Sequence, residues 1–163
     1  MNAIPQAPAG TTIVTHRTIA ASVGHVWNSL RFYEELDGQP PLLLQLVLPR
    51  AERTTPKRPA VGDETTLQYK GGHYARRVMT LNAPHLYEFE VFAQQFAADR
   101  GIRFHGGAFS LRELAPGQTD LAVTTRYTSG RQTSGLGQSL EAYVCRQLQG
   151  HLLDGIEAVA AGG

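Results

Sequence analysis

The sequence predicts a segregated α+β domain, a curved antiparallel sheet of six or seven strands wrapped around one long C-terminal helix, with two short helices after the first strand. Three observations carry this expectation. Between positions 63 and 128 five β-like segments follow one another with turn residues between them. After position 135 the apolar spacing switches to that of a helix. The chain has 163 residues, of which 42% are hydrophobic and 18% charged, an ordinary globular balance that lets one core bury roughly 70% of the unfolded surface.

Residues Met1 to Gly10 combine two prolines with small residues and show no periodicity, so 1–10 reads as a flexible arm and 11–163 as a single domain. Thr11 to Ile19, with Ile13, Val14, Thr15 and Ile19, reads as a strand. Ser22 is placed to cap a helix whose apolar positions are Val23, Val26, Trp27 and Leu30, and a second short turn follows from Arg31 to Leu36. From Gln39 to Gly62, Pro40, Pro41, Pro49, Pro56 and Pro59 deny regular hydrogen bonding. Within it Leu42 to Leu48 is either a short edge strand or a buried helical turn, and periodicity does not choose between them. Arg50, Arg53, Lys57 and Arg58 read as a solvated loop, with contact to an acidic membrane surface the lesser alternative.

The strands come next. Thr65, Leu67 and Tyr69 alternate, and Gly71-Gly72 turns the chain into His73 to Leu81. Asn82-Ala83-Pro84 leads into Leu86 to Phe92, where Tyr87, Phe89 and Val91 share one face and Glu88 and Glu90 the other. In Gly101 to Leu114 the phase set by Ile102 and Phe104 resumes displaced by one at Phe109 and Leu111, which predicts a bulge at Gly106-Gly107 and a bend in the sheet. Ala115-Pro116-Gly117 turns into Thr119 to Thr128, with Leu121, Val123, Thr125 and Tyr127 on one face. After a Ser129 to Gly135 loop, a helix from about Gly137 to Ala160 carries a stripe of Leu136, Leu140, Tyr143, Val144, Leu148, Leu152, Ile156 and Val159.

Several function classes are excluded at this level. A formal charge of +1 with dispersed basic residues argues against nucleic acid. Cys145 is the single cysteine, so there is no intrachain disulfide or multi-cysteine metal site, and a reducing cytoplasm is the expected location. The N-terminal stretch lacks the features of a signal peptide, and Leu42 to Leu48 falls far short of the ~20 apolar residues of a membrane span. Histidines 16, 25, 73, 85, 105 and 151 show no helical metal-ligand spacing. Ser134-Gly135-Leu136-Gly137 lacks the third glycine of a dinucleotide loop, and no Gly-x-Ser-x-Gly elbow occurs. The expectation is therefore no metal and no cofactor.

The Ile13-Val14-Thr15 strand, Ala20-Ala21-Ser22, Val26-Trp27 with Leu30, Val61-Gly62-Asp63 leading into a strand, and the terminal helix together resemble the SRPBCC superfamily. This is the START-like, helix-grip group that includes polyketide cyclase-like proteins and the birch-pollen allergen. The resemblance covers about Thr11 to Val159 and rests on structural motifs. It implies a cavity for lipids, polyketides or other apolar compounds, and brings no universal catalytic residue. The proline-rich Gln39 to Pro59 stretch departs from the compact members of the group.

A curved sheet meeting a straight helix leaves a gap, and that gap is the expected site. Its expected lining is Leu67 and Tyr69, then Tyr87, Phe89 and Val91, then Ile102 and Phe104, with Val123, Thr125 and Tyr127 on the last strand and Tyr143, Gln147 and His151 on the helix. Groups able to do acid-base chemistry there are Arg77, His105, Tyr127 and His151. The facing of His73, Arg77 and His105 stays open, because the strand from His73 fits either phase and the Gly106-Gly107 bulge blurs the phase next to His105. The leading expectation is a carrier or sensor that binds one small hydrophobic lipid, polyketide or aromatic molecule. A polyketide cyclase or dehydrase-like enzyme using the same cavity is the alternative. The third reading is an interaction module, in which an exposed Leu42 to Leu48 recruits a partner or a second copy as a homodimer.

Overall fold

The structure is a computed structural model that describes residues 10–31, 59–69, 72–96, 102–129 and 135–162. The β-branched opening run forms β1 (Thr11–Ile19). Ser22 then caps α1 (Val23–Asn28) as its sequence position predicts, its hydroxyl accepting from the His25 backbone N–H at 3.4 Å. The second short turn at Arg31 to Leu36, the Leu42 to Leu48 run and the basic stretch after it lie outside the described residues, apart from Arg31, as does the N-terminal arm up to Ala9.

Five strands follow: β2 (Glu64–Tyr69), β3 (Gly72–Asn82), β4 (Leu86–Phe96), β5 (Ile102–Ala115) and β6 (Gln118–Ser129). With β1 they make one antiparallel sheet of six strands in the order β1-β6-β5-β4-β3-β2. At the β3–β4 turn the Ala83–Pro84 bond is cis and the His85 N–H donates to the Asn82 carbonyl at 2.7 Å. Pro116 and Gly117 make the β5–β6 turn, with Gly117 at φ 74°, a conformation glycine adopts without a Cβ penalty.

The predicted bulge is present. The β5–β6 register shifts between Phe104 and Gly106, and Gly106 adopts φ 140°. Two further irregularities interrupt the β3–β4 ladder, between Ala75 and Arg76 and between Val78 and Thr80. Each extra residue raises the local twist and bends the strand, so the sheet curves. Between β4 and β5 the ladder runs only from Leu86–Ser110 to Glu90–Gly106. Beyond it the Gln94 amide stands in for backbone, donating to the Ile102 carbonyl at 2.8 Å and accepting from the Phe104 N–H at 3.0 Å.

Helix α2 (Gly135–Ala161) has 27 residues, about 40 Å at 1.5 Å per residue. Its inward face differs from the apolar stripe expected from spacing. Glu141, Cys145, Gln149, Leu152, Leu153, Ile156 and Ala160 are buried, whereas Leu136, Leu140, Tyr143 and Val159 are exposed. The reason is what the helix packs on. Its first half meets hydroxyls and carbonyls of β1 and β6, which select polar partners there, and only the second half meets an apolar surface.

Two apolar clusters fill the concave side. The larger joins Ile19, Val26, Val78, Tyr87, Phe109, Leu121, Leu153 and Ile156, with Trp27, Leu30, Phe89 and Leu148 partly buried against it. The smaller groups Ile13, Tyr127 and Cys145, with Ile102, Phe104 and Ala142 beside them.

Candidate functional site

Residues opposite one another in an antiparallel ladder share a face. Thr15 pairs with Val123 and Arg17 with Leu121, and both Thr15 and Arg17 reach α2, so this parity marks the concave face. Following the ladders across, Phe109 pairs with Val123 and Tyr87 with Phe109, which places Tyr87, Phe89, Phe109, Val123, Thr125 and Tyr127 inward. The Tyr87 ring meets those of Phe89 and Phe109 edge-on, with centroids 6.4 and 6.3 Å apart.

A buried glutamine ties the middle of the helix to the sheet. Gln149 is fully buried, and its amide nitrogen donates to the Ile13 carbonyl at 2.9 Å, the Val123 carbonyl at 3.1 Å and Thr125 Oγ1 at 3.0 Å. Its oxygen accepts from Thr15 Oγ1 at 2.6 Å. Arg17 adds bonds to Asp154 at 2.9 Å and Glu157 at 2.6 Å along the β1 side of the helix. A helix turns about 100° per residue, so relative to Gln149 these two acids occupy one flank and Glu141, Val144, Leu148 and Leu152 the other. That second flank overlooks β5 and β4, where Leu148 and Leu152 join the cluster holding Tyr87 and Phe109. Phe89, Val91, Ile102 and Phe104 on the sheet and Val144 and Leu148 on the helix are all half-buried. Trp27 and Leu30, also half-buried, stand at the α1 end.

The remaining expected site residues divide. Leu67 is buried on β2, and Val123 and Thr125 lie under Gln149; the side chain of Tyr69 is outside the described set. Tyr143 is 51% exposed. Gln147 and His151 flank Gln149 by two residues each, which turns both about 160° away from the strands. Arg77 and His105 lie on the convex face. Arg77 donates to Glu64 at 2.7 and 2.9 Å and to Glu90 at 2.6 Å, with Phe92 under its guanidinium at 4.7 Å. The Glu64 bonds foremost raise its pKa further above the ordinary arginine value. His105 Nε2 meets Thr128 Oγ1 at 2.9 Å. The condition under which these two could meet a ligand, an inward phase, is not fulfilled. Of the four acid-base groups only Tyr127 is inside the concave face; strand register turns Arg77 and His105 outward, and His151 lies on the far side of the helix.

Arg76, Glu141 and Gln149 are buried polar residues that the sequence did not single out as site residues. Arg76, next to Arg77, is the inward one; it pairs with Val91 on β4 and Thr65 on β2. Gln149 and Glu141 lie with Cys145 on an i, i+4 ladder one residue out of step with the Leu140, Val144, Leu148 stripe. That ladder, centred on the single cysteine, was the available signal. Burial, with Glu141 beside it, pushes the Cys145 thiol up to about 12, so no thiolate is present at neutral pH and Cys145 packs rather than reacts. Burial likewise raises the Tyr127 phenol, with Cys145 and Glu141 adding to the rise and a bond with Thr11 opposing it.

Among the described residues no group of three or more His, Cys, Asp or Glu side chains could hold a metal ion, and no helix is long and apolar enough to cross a membrane.

No protein-family description matches the sequence, and no curated protein matches it. Solved structures do. Norcoclaurine synthase from Thalictrum flavum, in complex with dopamine and hydroxybenzaldehyde, superposes with TM-score 0.63 at 14% identity, over 95% of this chain and 88% of that one. An aromatase/cyclase from Streptomyces sp. R1128 gives 0.62 at 15% identity over 94% of both chains. A START superfamily protein from Mycobacterium smegmatis gives 0.59 at 13% identity, over 93% of this chain and 97% of that one. The chain has the helix-grip fold. The resemblance to the SRPBCC group read from Ile13-Val14-Thr15, Val26-Trp27 and the terminal helix thus holds at the level of fold.

Proposed function

We propose that this helix-grip chain binds one small, largely apolar molecule between the Leu148 flank of α2 and the inner surface of β4 and β5, as a cytoplasmic carrier or sensor that needs no cofactor. The observation that carries the reading is the half-buried apolar surface of Phe89, Val91, Ile102 and Phe104 on the concave side, beside which Leu148 of the helix packs, itself half-buried. Apolar side chains left half-covered on a concave surface gain from a ligand that removes the rest of their area from water, at about 25 cal/mol per Å². The dopamine and hydroxybenzaldehyde held by norcoclaurine synthase show that this fold can accommodate aromatic rings in that protein. Carriage is favoured over acid-base catalysis because Arg77 and His105 occupy the convex face and Gln147 and His151 the back of the helix.

Titration with N-phenyl-1-naphthylamine, a neutral apolar fluorophore, tests this. One saturable site per chain is expected, and Leu148→Arg, which puts a charge on the half-buried apolar flank beside the core and is compared once its melting curve is seen to be native, should weaken it by roughly tenfold or more. Absence of saturable binding by the folded protein would remove the proposal.

A further inference from the structure

On the apolar-ligand reading, on which this depends, we propose that Glu141 is the polar anchor of the cavity and that its ligand carries a hydroxyl at the end that reaches the start of α2. Glu141 is only 9% exposed. Its Oε1 accepts from Ser129 Oγ at 2.9 Å, and among the described residues its second oxygen has no partner. A carboxylate offers about four acceptor positions and donates nothing when ionised, and burying it with most of them unused is unfavourable unless another donor arrives.

The position fits a ligand rather than a purely structural bond. Glu141 lies on the same flank of α2 as Val144 and Leu148. On the sheet, Ser129 pairs with Ile102 and Tyr127 with Phe104, so the carboxyl stands over the β5 residues that floor the half-buried surface. Its closest described neighbours offer little. Among the described residues the Tyr127 hydroxyl makes no hydrogen bond to it, and the Cys145 thiol is a weak donor. The site is therefore apolar along β4 and β5 and accepts one donor at its far end. An aromatic or alicyclic alcohol matches that arrangement, whereas a carboxylate-bearing ligand would bring like charge against Glu141.

The test compares 2-naphthol with 2-methoxynaphthalene, equal in ring system and differing in the donor, by calorimetric titration of the wild-type chain, Glu141→Leu and Glu141→Gln. The wild type should prefer the naphthol by roughly tenfold or more. Glu141→Leu should bind the methyl ether at least as well as the wild type and lose the preference; Glu141→Gln, which keeps an acceptor oxygen without charge, should retain part of it. Equal affinities in the wild type, or a preference unchanged in Glu141→Leu, would overturn the anchor while leaving the cavity intact. Should Glu141→Leu fail to show a native melting curve, an unchanged preference in Glu141→Gln decides against the anchor and a reduced one supports it. Failure of the folded wild type to bind either compound removes the cavity reading and the anchor together.

Discussion

Replacing Gln149 by leucine is expected to lower the unfolding free energy by about 2–4 kcal/mol, among the largest effects of any single side chain in α2. Leucine approximates the volume, so the loss is not a packing loss. What disappears is the one group that satisfies Thr15 Oγ1 and Thr125 Oγ1 together and bonds the Ile13 and Val123 carbonyls. Both hydroxyls are then left facing an apolar side chain, and each unsatisfied buried group costs about 1–3 kcal/mol. Thermal unfolding should drop by roughly 5–15 °C for a chain of this size. A triple variant that also changes Thr15 and Thr125 to valine should recover part of the loss, because neither hydroxyl is then left without a partner. A melting temperature within about 1 °C of wild type in Gln149→Leu would show that the bonds are not what seats the helix.

The second large effect is at the bulge. A Cβ on Gly106 would lie 2.2 Å from the Phe89 carbonyl oxygen and 2.9 Å from Glu90 Cα, both backbone atoms, and the residue also holds φ 140°. Neither neighbour can rotate away, so Gly106→Ala must break the β4–β5 register at the point where that ladder already ends. We expect a loss of about 4 kcal/mol or more, enough to abolish cooperative unfolding or soluble expression. Gly117→Ala separates conformation from crowding, because Gly117 also has positive φ but no atom within 4 Å of its Cβ position. Its cost should be the conformational part alone, about 1–2 kcal/mol. Equal destabilisation by the two substitutions would contradict the close-approach account.

The fold was legible because its signals are local. Period-two alternation in Leu86 to Phe92, the slipped phase between Phe104 and Phe109, the Pro116-Gly117 turn and the Ser22 cap each follow from short-range chemistry, and each is found where the sequence places it. The site was less legible because it depends on which neighbour a face meets. Spacing alone marks Leu136, Leu140 and Tyr143 as the inward stripe of α2, yet the helix rests on Thr15, Thr125 and Ser129 at that end and buries Glu141 and Gln149 instead. The same holds for the adjacent arginines. Nothing in the order Arg76-Arg77 says which is inward until β3 is in register with β4, and the bulge between Ala75 and Arg76 shifts the phase just there. Polar residues buried by mutual hydrogen bonding leave no hydrophobic pattern to read.

The most direct measurement of the central claim is native mass spectrometry of the protein purified from its own host, followed by denaturation and identification of whatever is released. The account predicts a stoichiometric, non-covalent adduct of one small apolar molecule per chain, lost on denaturation and absent from Leu148→Arg prepared in parallel. The same adduct retained in full by Leu148→Arg would place the molecule elsewhere on the chain and contradict the assignment to the cavity between α2 and the β4–β5 surface.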